Sequence, residues 1–231
     1  MKIGVFGTGV VGQTIAEKLE QLNHDVMIGT RSSEDTLART GKDNFGRPAF
    51  SEWYKNHSSI KIGKFSEAAE FGEFLVNAAN GSGTLKALEL AGKQNLSNKI
   101  LLDISNPLDF SKGMPPSLFV CNTDSLAEQI QRTYPEAKVV KGLNTMNVMV
   151  MVNPEIVPGD HVVFINGNDG AAKEQVKNLL ITIGWKEKNI IDLGDITAAR
   201  GTEQMLPIWL RLMGTIKSSF FNFNIVIGNE A

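Results

Sequence analysis

Three glycines near the start of the chain constrain its fold more than any other feature. Gly7, Gly9 and Gly12 have the spacing G-x-G-x-x-G between an apolar run, KIGVFG, and a run with helical periodicity. This pattern predicts a tight turn from a buried strand into a helix, with the second glycine leaving room for a ligand at the backbone. Free amide groups and the helix dipole attract phosphate there. We expect a pyrophosphate-binding turn formed by Gly7, Thr8, Gly9, Val10, Val11 and Gly12.

Apolar runs alternate with helical segments up to about residue 150. The strand-like runs are KIGVFG, HDVMIG, SIKIG, EFLVNAA, KILLDIS and AKVVKGL. This alternation predicts a doubly wound, Rossmann-type α/β fold with a mainly parallel sheet. We expect one domain over 1–231, with a dinucleotide-binding core over about 1–150 and a small C-terminal α/β extension over about 151–231. The insertion over 40–59 is long, and whether it acts as a lid is left open.

Composition and charge argue against several kinds of function. The net charge of −2 over 231 residues gives no general attraction to nucleic acid or to an anionic membrane. No run approaches the roughly 18 apolar residues of a membrane-spanning helix. The single cysteine, Cys121, excludes an internal disulfide, favours a cytoplasmic protein and is interpreted as a small buried residue. Three histidines without paired spacing predict no metal site.

The end of the second predicted strand indicates which dinucleotide binds. An NAD site usually has Asp or Glu here, whereas this chain continues Thr30-Arg31-Ser32-Ser33. Arg31 would bind a 2'-phosphate through its planar fork of donors, with the hydroxyl groups of Thr30, Ser32 and Ser33 beside it. The alternative is a solvated Arg31 and a serine that caps a short helix. The missing acid and the arginine together favour NADP(H).

Small and polar residues follow three further strands, whose carboxyl ends should meet at one edge of the sheet. Such residues let the nicotinamide lie against backbone and amide groups, although Asn, Ser, Gly and Pro also occur in ordinary turns. The candidates are Ala78, Ala79 and Asn80 after the fourth strand, Asn106 after the fifth, and Asn144 and Thr145 after the sixth.

Several of these segments, in this order, resemble the coenzyme F420-dependent NADP oxidoreductases. The segments are the glycine turn, GTRSS, DISNPL, VVKGLNTM and DLGDITAARGTEQM. The resemblance implies NADP(H) along the strand ends, with its 2'-phosphate on Thr30, Arg31 and Ser32. It implies coenzyme F420, or a flavin, as the hydride partner facing the nicotinamide. The same fold occurs in the oxidoreductase domain of membrane metalloreductases.

The sequence leaves the hydride acceptor open. NAANGSG and Leu143-Asn144-Thr145 depart from the family pattern on the acceptor side. We assign no catalytic side chain and interpret Lys141 as structural, which suits hydride transfer between two aligned rings. The alternatives are an NADPH-dependent reductase of a small carbonyl or imine, which needs a proton donor, and a non-catalytic NADP(H) sensor. The apolar tail FFNFNIVIG predicts docking or a homodimer interface.

Overall fold

In the computed structural model of the chain, residues 1–42 and 46–228 are described; part of the 40–59 insertion, residues 43–45, lies outside them. The strands are β1 (Lys2–Phe6), β2 (Asp25–Thr30), β3 (Lys61–Lys64), β4 (Phe74–Asn77), β5 (Ile100–Asp103), β6 (Leu108–Asp109), β7 (Ser117–Leu118), β8 (Lys138–Gly142), β9 (Val163–Gly167) and β10 (Ile190–Asp192). The helices are α1 (Val10–Gln21), α2 (Ser33–Ala38), α3 (Phe50–Tyr54), α4 (Phe65–Phe71), α5 (Gly81–Ala91), α6 (Lys93–Leu96), α7 (Leu126–Thr133), α8 (Val148–Val152), α9 (Gly170–Ile183) and α10 (Ala199–Ile216).

Eight strands form one sheet in the order β3-β2-β1-β4-β5-β8-β9-β10. The first six strands in this order are parallel. The chain runs outward from β1 to β3 and then returns to β4 on the other side of β1, so the strand order reverses between β1 and β4. This arrangement confirms the predicted Rossmann-type fold, in which ligands bind beyond the carboxyl ends of the strands at that crossing. The β6–β7 pair forms a separate small hairpin.

Both faces of the sheet are covered because the strands are apolar on both sides. One buried cluster packs α1, α8 and α9 against the sheet, and its α1 residues Ile15, Ala16 and Leu19 recur at helical spacing. The other cluster packs α4, α5 and α7 against the opposite face. None of the helices within the described ranges is both long and apolar enough to cross a lipid bilayer.

The C-terminal segments continue the same sheet. Strand β9 pairs antiparallel with β8, and β10 pairs parallel with β9. The tail docks at its start, where Phe221 stacks on Trp209 with ring centroids 5.2 Å apart and the Val162 amide donates to the Phe223 carbonyl. Residues 225–227 are exposed, Val226 by 88%. The homodimer stays a prediction.

Candidate functional site

The three glycines of the turn meet three different structural requirements. Gly7 has a φ of +120°, and a Cβ on it would lie 2.7 Å from the carbonyl oxygen of Ala78. A Cβ on Gly12 would collide with the carbonyl oxygen of Gly7. A Cβ on Gly9 would meet no atom within 4 Å. Gly7 and Gly12 are therefore required by the fold, whereas Gly9 leaves open space at the start of α1.

The amide groups at the start of α1 face this open space. Gly9 is the residue that precedes the helix, and no side chain in the described part of the chain caps the first turn. Thr8 is half-buried, and its carbonyl accepts from Gln13 Nε2 at 2.8 Å. Val10 is exposed, while Val11 packs on the core below. Uncapped amides and a dipole without an acidic residue in the first turn form an environment that favours an anion.

The polar residues after β2 divide into exposed and buried positions. The Arg31 guanidinium is exposed and makes no hydrogen bond or ion pair with any residue that the structure describes. Ser32 caps α2 through a bond from the Asp35 amide at 3.1 Å, and Ser33 is half-buried beside it. Thr30 is only 5% exposed, and its hydroxyl group lies 2.9 Å from that of Thr36. The structure therefore places the Thr30 hydroxyl below the strand end, not on the rim with Arg31.

A cavity of about 700 Å³ lies between the glycine turn and the 40–59 insertion. Thr8, Gly9 and Gln13 line one side, and Arg39 of the α2 end lines the other. Sequence reasoning missed Arg39, because it follows a short helix in a polar stretch without periodicity. The signal available was its spacing of three residues from Thr36, to which it donates at 3.0 Å.

The ends of β4, β5 and β8 converge as predicted for parallel strands. Asn80 caps α5, and a Cβ on Gly81 would collide with the Asn106 carbonyl, so these two loops are in contact. Asn106 Nδ2 donates to the Asn144 carbonyl at 2.9 Å, and Asn144 Nδ2 donates back to Asn106 Oδ1 at 3.0 Å. Asn144 and Thr145 are buried, and Asn144 Oδ1 has no hydrogen-bond partner among the described residues. A buried acceptor of this kind can receive an amide donor from a ligand.

Ala78 and Ala79, which follow β4, lie between the residues after β2 and those after β5 and β8. The Ala78 amide donates to the Phe6 carbonyl at 3.0 Å, and the Ala79 amide donates to Asn77 Oδ1 at 3.3 Å. Both alanines are half-buried. From β2 to β8 the rim crosses four gaps between strands, about 19 Å in all. An extended dinucleotide can therefore reach from Arg31 to Asn144.

Similarity to known proteins, in sequence and in fold, identifies the family of this chain. A family model described as NADP oxidoreductase coenzyme F420-dependent matches residues 2–107. A crystal structure of a provisionally named F420-dependent NADP-reductase from Arthrobacter sp. fb24 is 52% identical, with a TM-score of 0.92, over 98% of this chain and 100% of that chain. The chain belongs to the coenzyme F420-dependent NADP oxidoreductases. It is thus an NADP-dependent oxidoreductase.

More distant relatives share the fold. The metalloreductase STEAP3 of Rattus norvegicus is 24% identical over 213 residues, which cover 90% of this chain but only 38% of the relative. The oxidoreductase thus spans about two fifths of the length of that curated protein. A Streptomyces aurantiacus imine reductase is 15% identical, with a TM-score of 0.63, over 94% of this chain and 64% of that chain. At this identity the likeness shows the fold alone.

A buried charged network lies directly below the rim of the oxidoreductase site. The Lys141 ammonium lies 2.8 Å from Asp103 Oδ2 and 2.9 Å from Glu203 Oε1, and all three side chains are at most 1% exposed. Burial alone would lower the pKa of Lys141, but the Asp103 and Glu203 carboxylates outweigh it, so the pKa is raised. Lys141 is therefore a fixed cation sealed from the rim, which supports its interpretation as structural.

Asp103 connects this network to the loops after β4 and β5. Its Oδ1 accepts from Asn77 Nδ2 and from the Ser105 hydroxyl group, each at 2.7 Å. Asn77 in turn receives the Ala79 amide. The loops after β4 and β5 of the oxidoreductase are thus held by a single carboxylate.

One minor expectation from the sequence is wrong. Cys121 is exposed rather than buried, because the segment before α7 runs over the surface. Arg200 and Glu203 of α10 both contact α7. Arg200 Nη2 lies 2.6 Å from Glu128 of α7, and Glu203 accepts from the amides of Leu126 and Ala127 at 2.9 and 3.1 Å. Both therefore fasten α10 to the start of α7.

A second cavity of the oxidoreductase, about 690 Å³, opens beside the start of α5 and the β6–β7 hairpin. Gly81 and Ser82 line it at the start of α5, and Leu108 of the β6–β7 hairpin lines it opposite. Phe110 and Phe119 in this lining are 47% and 45% exposed. Exposed aromatic rings beside a cavity are suited to stacking on a planar ligand. No group of three or more His, Cys, Asp or Glu residues within 1–42 and 46–228 could hold a metal ion.

Proposed function

We propose that this oxidoreductase transfers hydride between NADPH and a flavin- or deazaflavin-like acceptor. The observation that carries the proposal is the cavity lined by Phe110 and Phe119, which starts at Gly81, directly after the candidate nicotinamide residue Asn80. This edge of the sheet could therefore hold two planar rings face to face. The family membership supports the NADP(H) half of the proposal, and the cavity supports the acceptor half.

The residues present fit NADP(H). The open space at Gly9 and the uncapped start of α1 would take the pyrophosphate, and Arg31 would take the 2'-phosphate. Asn144 Oδ1, a buried acceptor without a partner among the described residues, would receive the carboxamide of the nicotinamide. When bound, NADPH supplies the hydride, and the chain supplies position and exclusion of water.

The lining of the second cavity favours ring-to-ring transfer over reduction of a carbonyl or imine. Carbonyl and imine reduction requires a group that can donate a proton near neutral pH. Asp109 is the ionisable residue in the described lining, and hydrogen bonds from the backbone amide and hydroxyl group of Ser111 lower its pKa. Asp109 is therefore ionised at neutral pH and is a poor proton donor. Lys141 is sealed below the rim.

Stopped-flow oxidation of NADPH against coenzyme F420, FMN, a benzoquinone and a cyclic imine tests the proposal. We expect rapid oxidation with a flavin or deazaflavin and none with the imine. Phe119→Ala should raise KM for that acceptor and leave the Kd of NADPH unchanged. Phe220→Ala is the matched control, because Phe220 is equally exposed but lies in the tail, outside this lining.

The same assay separates the alternatives. Oxidation by the imine alone would contradict the proposal and favour an imine reductase. Tight NADPH binding without oxidation by any of the four acceptors would instead favour an NADP(H) sensor. Equal effects of Phe119→Ala and Phe220→Ala would remove the cavity from the acceptor site.

A further inference from the structure

Arg39 is a cation on the cavity side of the predicted 2'-phosphate site. It follows α2 directly, and its backbone is extended at φ −67° and ψ 131°. Its guanidinium lines the 700 Å³ cavity together with Thr8, Gly9 and Gln13 of the pyrophosphate turn. Arg39 therefore lies between the start of α1 and the end of α2, in the cavity that adjoins the predicted pyrophosphate turn.

A pair of hydroxyl groups holds Arg39 in this position. Arg39 Nη2 donates to Thr36 Oγ1 at 3.0 Å, and Thr36 Oγ1 lies 2.9 Å from Thr30 Oγ1 at the end of β2. Thr36 is 1% exposed and Thr30 is 5% exposed, so this pair of hydroxyl groups is buried within the protein. Arg39 is thereby tied to the strand end that also carries Arg31.

Among residues 1–42 and 46–228, the contacts of Arg39 include no ion pair with an acid. Its partners are neutral oxygens: the Thr36 hydroxyl group and, at 3.4 Å from Nε, the Asp35 carbonyl. Glu52, a carboxylate in the cavity lining, is paired with Lys55 at 2.8 Å. A cation with remaining N–H donors, tied to neutral groups and facing a cavity, is arranged to bind an anion.

We propose that Arg39 is a second cationic ligand of the 2'-phosphate, opposite Arg31, and that the Thr30–Thr36 hydroxyl pair positions it. This inference rests on the proposed NADP(H) site and names a residue that determines its specificity. It also gives the buried Thr30 hydroxyl a role, since Thr30 would act on the phosphate through Arg39 and not by direct contact. Lys42 and Pro48, which line the same cavity, would then lie beside the cofactor site.

Binding of a matched pair of probes to Arg39→Gln tests the proposal without catalysis. Adenosine 2',5'-bisphosphate and adenosine 5'-phosphate differ only in the 2'-phosphate, and calorimetric titration gives the Kd of each. We expect Arg39→Gln to weaken the binding of the bisphosphate by about 10- to 150-fold, the range for a hydrogen bond to a charged group. The 5'-phosphate should change by less than about twofold, within the context dependence of such contacts.

Three further variants make the test specific. Arg39→Lys keeps the charge and should recover part of the lost affinity. Thr36→Val removes the hydroxyl group that holds Arg39 but removes no charge. It should weaken the binding of the bisphosphate by less than Arg39→Gln does. Arg211→Met, an exposed arginine on α10, is the control and should leave both probes unchanged. Circular dichroism and thermal unfolding of each variant confirm that the fold is retained.

Each outcome has a defined meaning. If Arg31→Met weakens the bisphosphate and Arg39→Gln does not, the role of Arg39 is refuted while the proposed NADP(H) site stands. If Arg39→Gln weakens both probes equally, or only lowers stability, Arg39 is a helix cap or a pyrophosphate ligand and the inference fails. If neither Arg31→Met nor Arg39→Gln affects the bisphosphate, the proposed cofactor site itself is wrong.

Discussion

Gly9 and Gly12 belong to the same motif, yet their substitution should have opposite effects. At Gly9 the backbone has φ −73° and ψ 174°, which any residue adopts, and a Cβ would meet no atom within 4 Å. Gly9→Val should therefore change the free energy of unfolding by no more than about 1 kcal/mol, the difference expected at the residue before a helix. At Gly12 a Cβ would collide with the backbone carbonyl of Gly7. Gly12→Ala should destabilise the protein by about 1–3 kcal/mol or more.

Substitution at Gly9 should lower the affinity for the cofactor, whereas substitution at Gly12 should mainly lower the stability of the fold. A side chain at Gly9 would occupy the open space at the uncapped amides of α1, so the phosphate would lose at least one charge-assisted hydrogen bond. Each such bond contributes about 1.5–3 kcal/mol, which corresponds to a 10- to 150-fold rise in the Kd of NADPH. Gly9→Val should thus lose affinity while the fold survives, and Gly12→Ala should lose stability first.

Fluorescence titration of NADPH and urea unfolding, both on the same preparations, measure the two effects. The expected result is a folded Gly9→Val protein whose NADPH affinity has fallen, beside a Gly12→Ala protein with a lower unfolding midpoint. A folded Gly9→Val protein with an unchanged Kd for NADPH would refute the placement of pyrophosphate at this turn. Equal destabilisation by both substitutions would instead show that Gly9 is constrained by folding.

Three further predictions concern the charges of the site and its support. Arg31→Met should weaken NADPH by about 1.5–3 kcal/mol and leave NADH nearly unchanged in parallel fluorescence titrations; equal losses would contradict the 2'-phosphate assignment. Lys141→Met should lower the free energy of unfolding in urea by about 3–5 kcal/mol, because it leaves two buried carboxylates without their cation; a loss below about 1 kcal/mol, as expected for an exposed pair, would show that the network is solvated. Hydrogen bonds from Arg200, and then from Ser125, lower the pKa of Glu128, so its contribution is present above the unfolded pKa of about 4.3 and is lost as pH falls through the folded value. Urea unfolding at several pH values should therefore show a steeper loss of stability on acidification for the wild type than for Glu128→Gln, and parallel curves would refute this.

Local patterns predicted much of the fold because parallel strands are buried on both faces. Each of the six parallel strands is an apolar run in the sequence, and the helices between them show apolar residues at helical spacing. The glycine turn was equally readable, since steric contacts at Gly7 and Gly12 act over a few residues. These features depend on neighbours in the chain, so a single sequence carries them.

Features that depend on distant segments could not be predicted in the same way. Glu203 reaches Lys141 and the start of α7, which are 62 and about 76 residues away along the chain. Phe119 becomes a cavity wall only because the short β6–β7 hairpin turns it toward α5. The burial of Thr30 depends on Thr36, whose position is set by the fold of α2. Sequence reasoning named candidate residues for the site, but it could not tell which of them lie on the surface.

Helix α10 completes a buried ion network beneath the candidate site. Asp103 fixes the loops after β4 and β5 through Asn77 and Ser105, and Lys141 holds Asp103 from the neighbouring strand. Asp103 and Lys141 are both 0% exposed, and a buried ion pair of this kind is stable only when its other hydrogen-bonding groups also have partners. Glu203 of α10 is one such partner, because its carboxylate contacts Lys141 and also accepts hydrogen bonds from backbone amides of α7. Helix α10 therefore stabilises the loops after β4 and β5, where the nicotinamide is predicted to bind, because it supplies the second carboxylate that Lys141 needs.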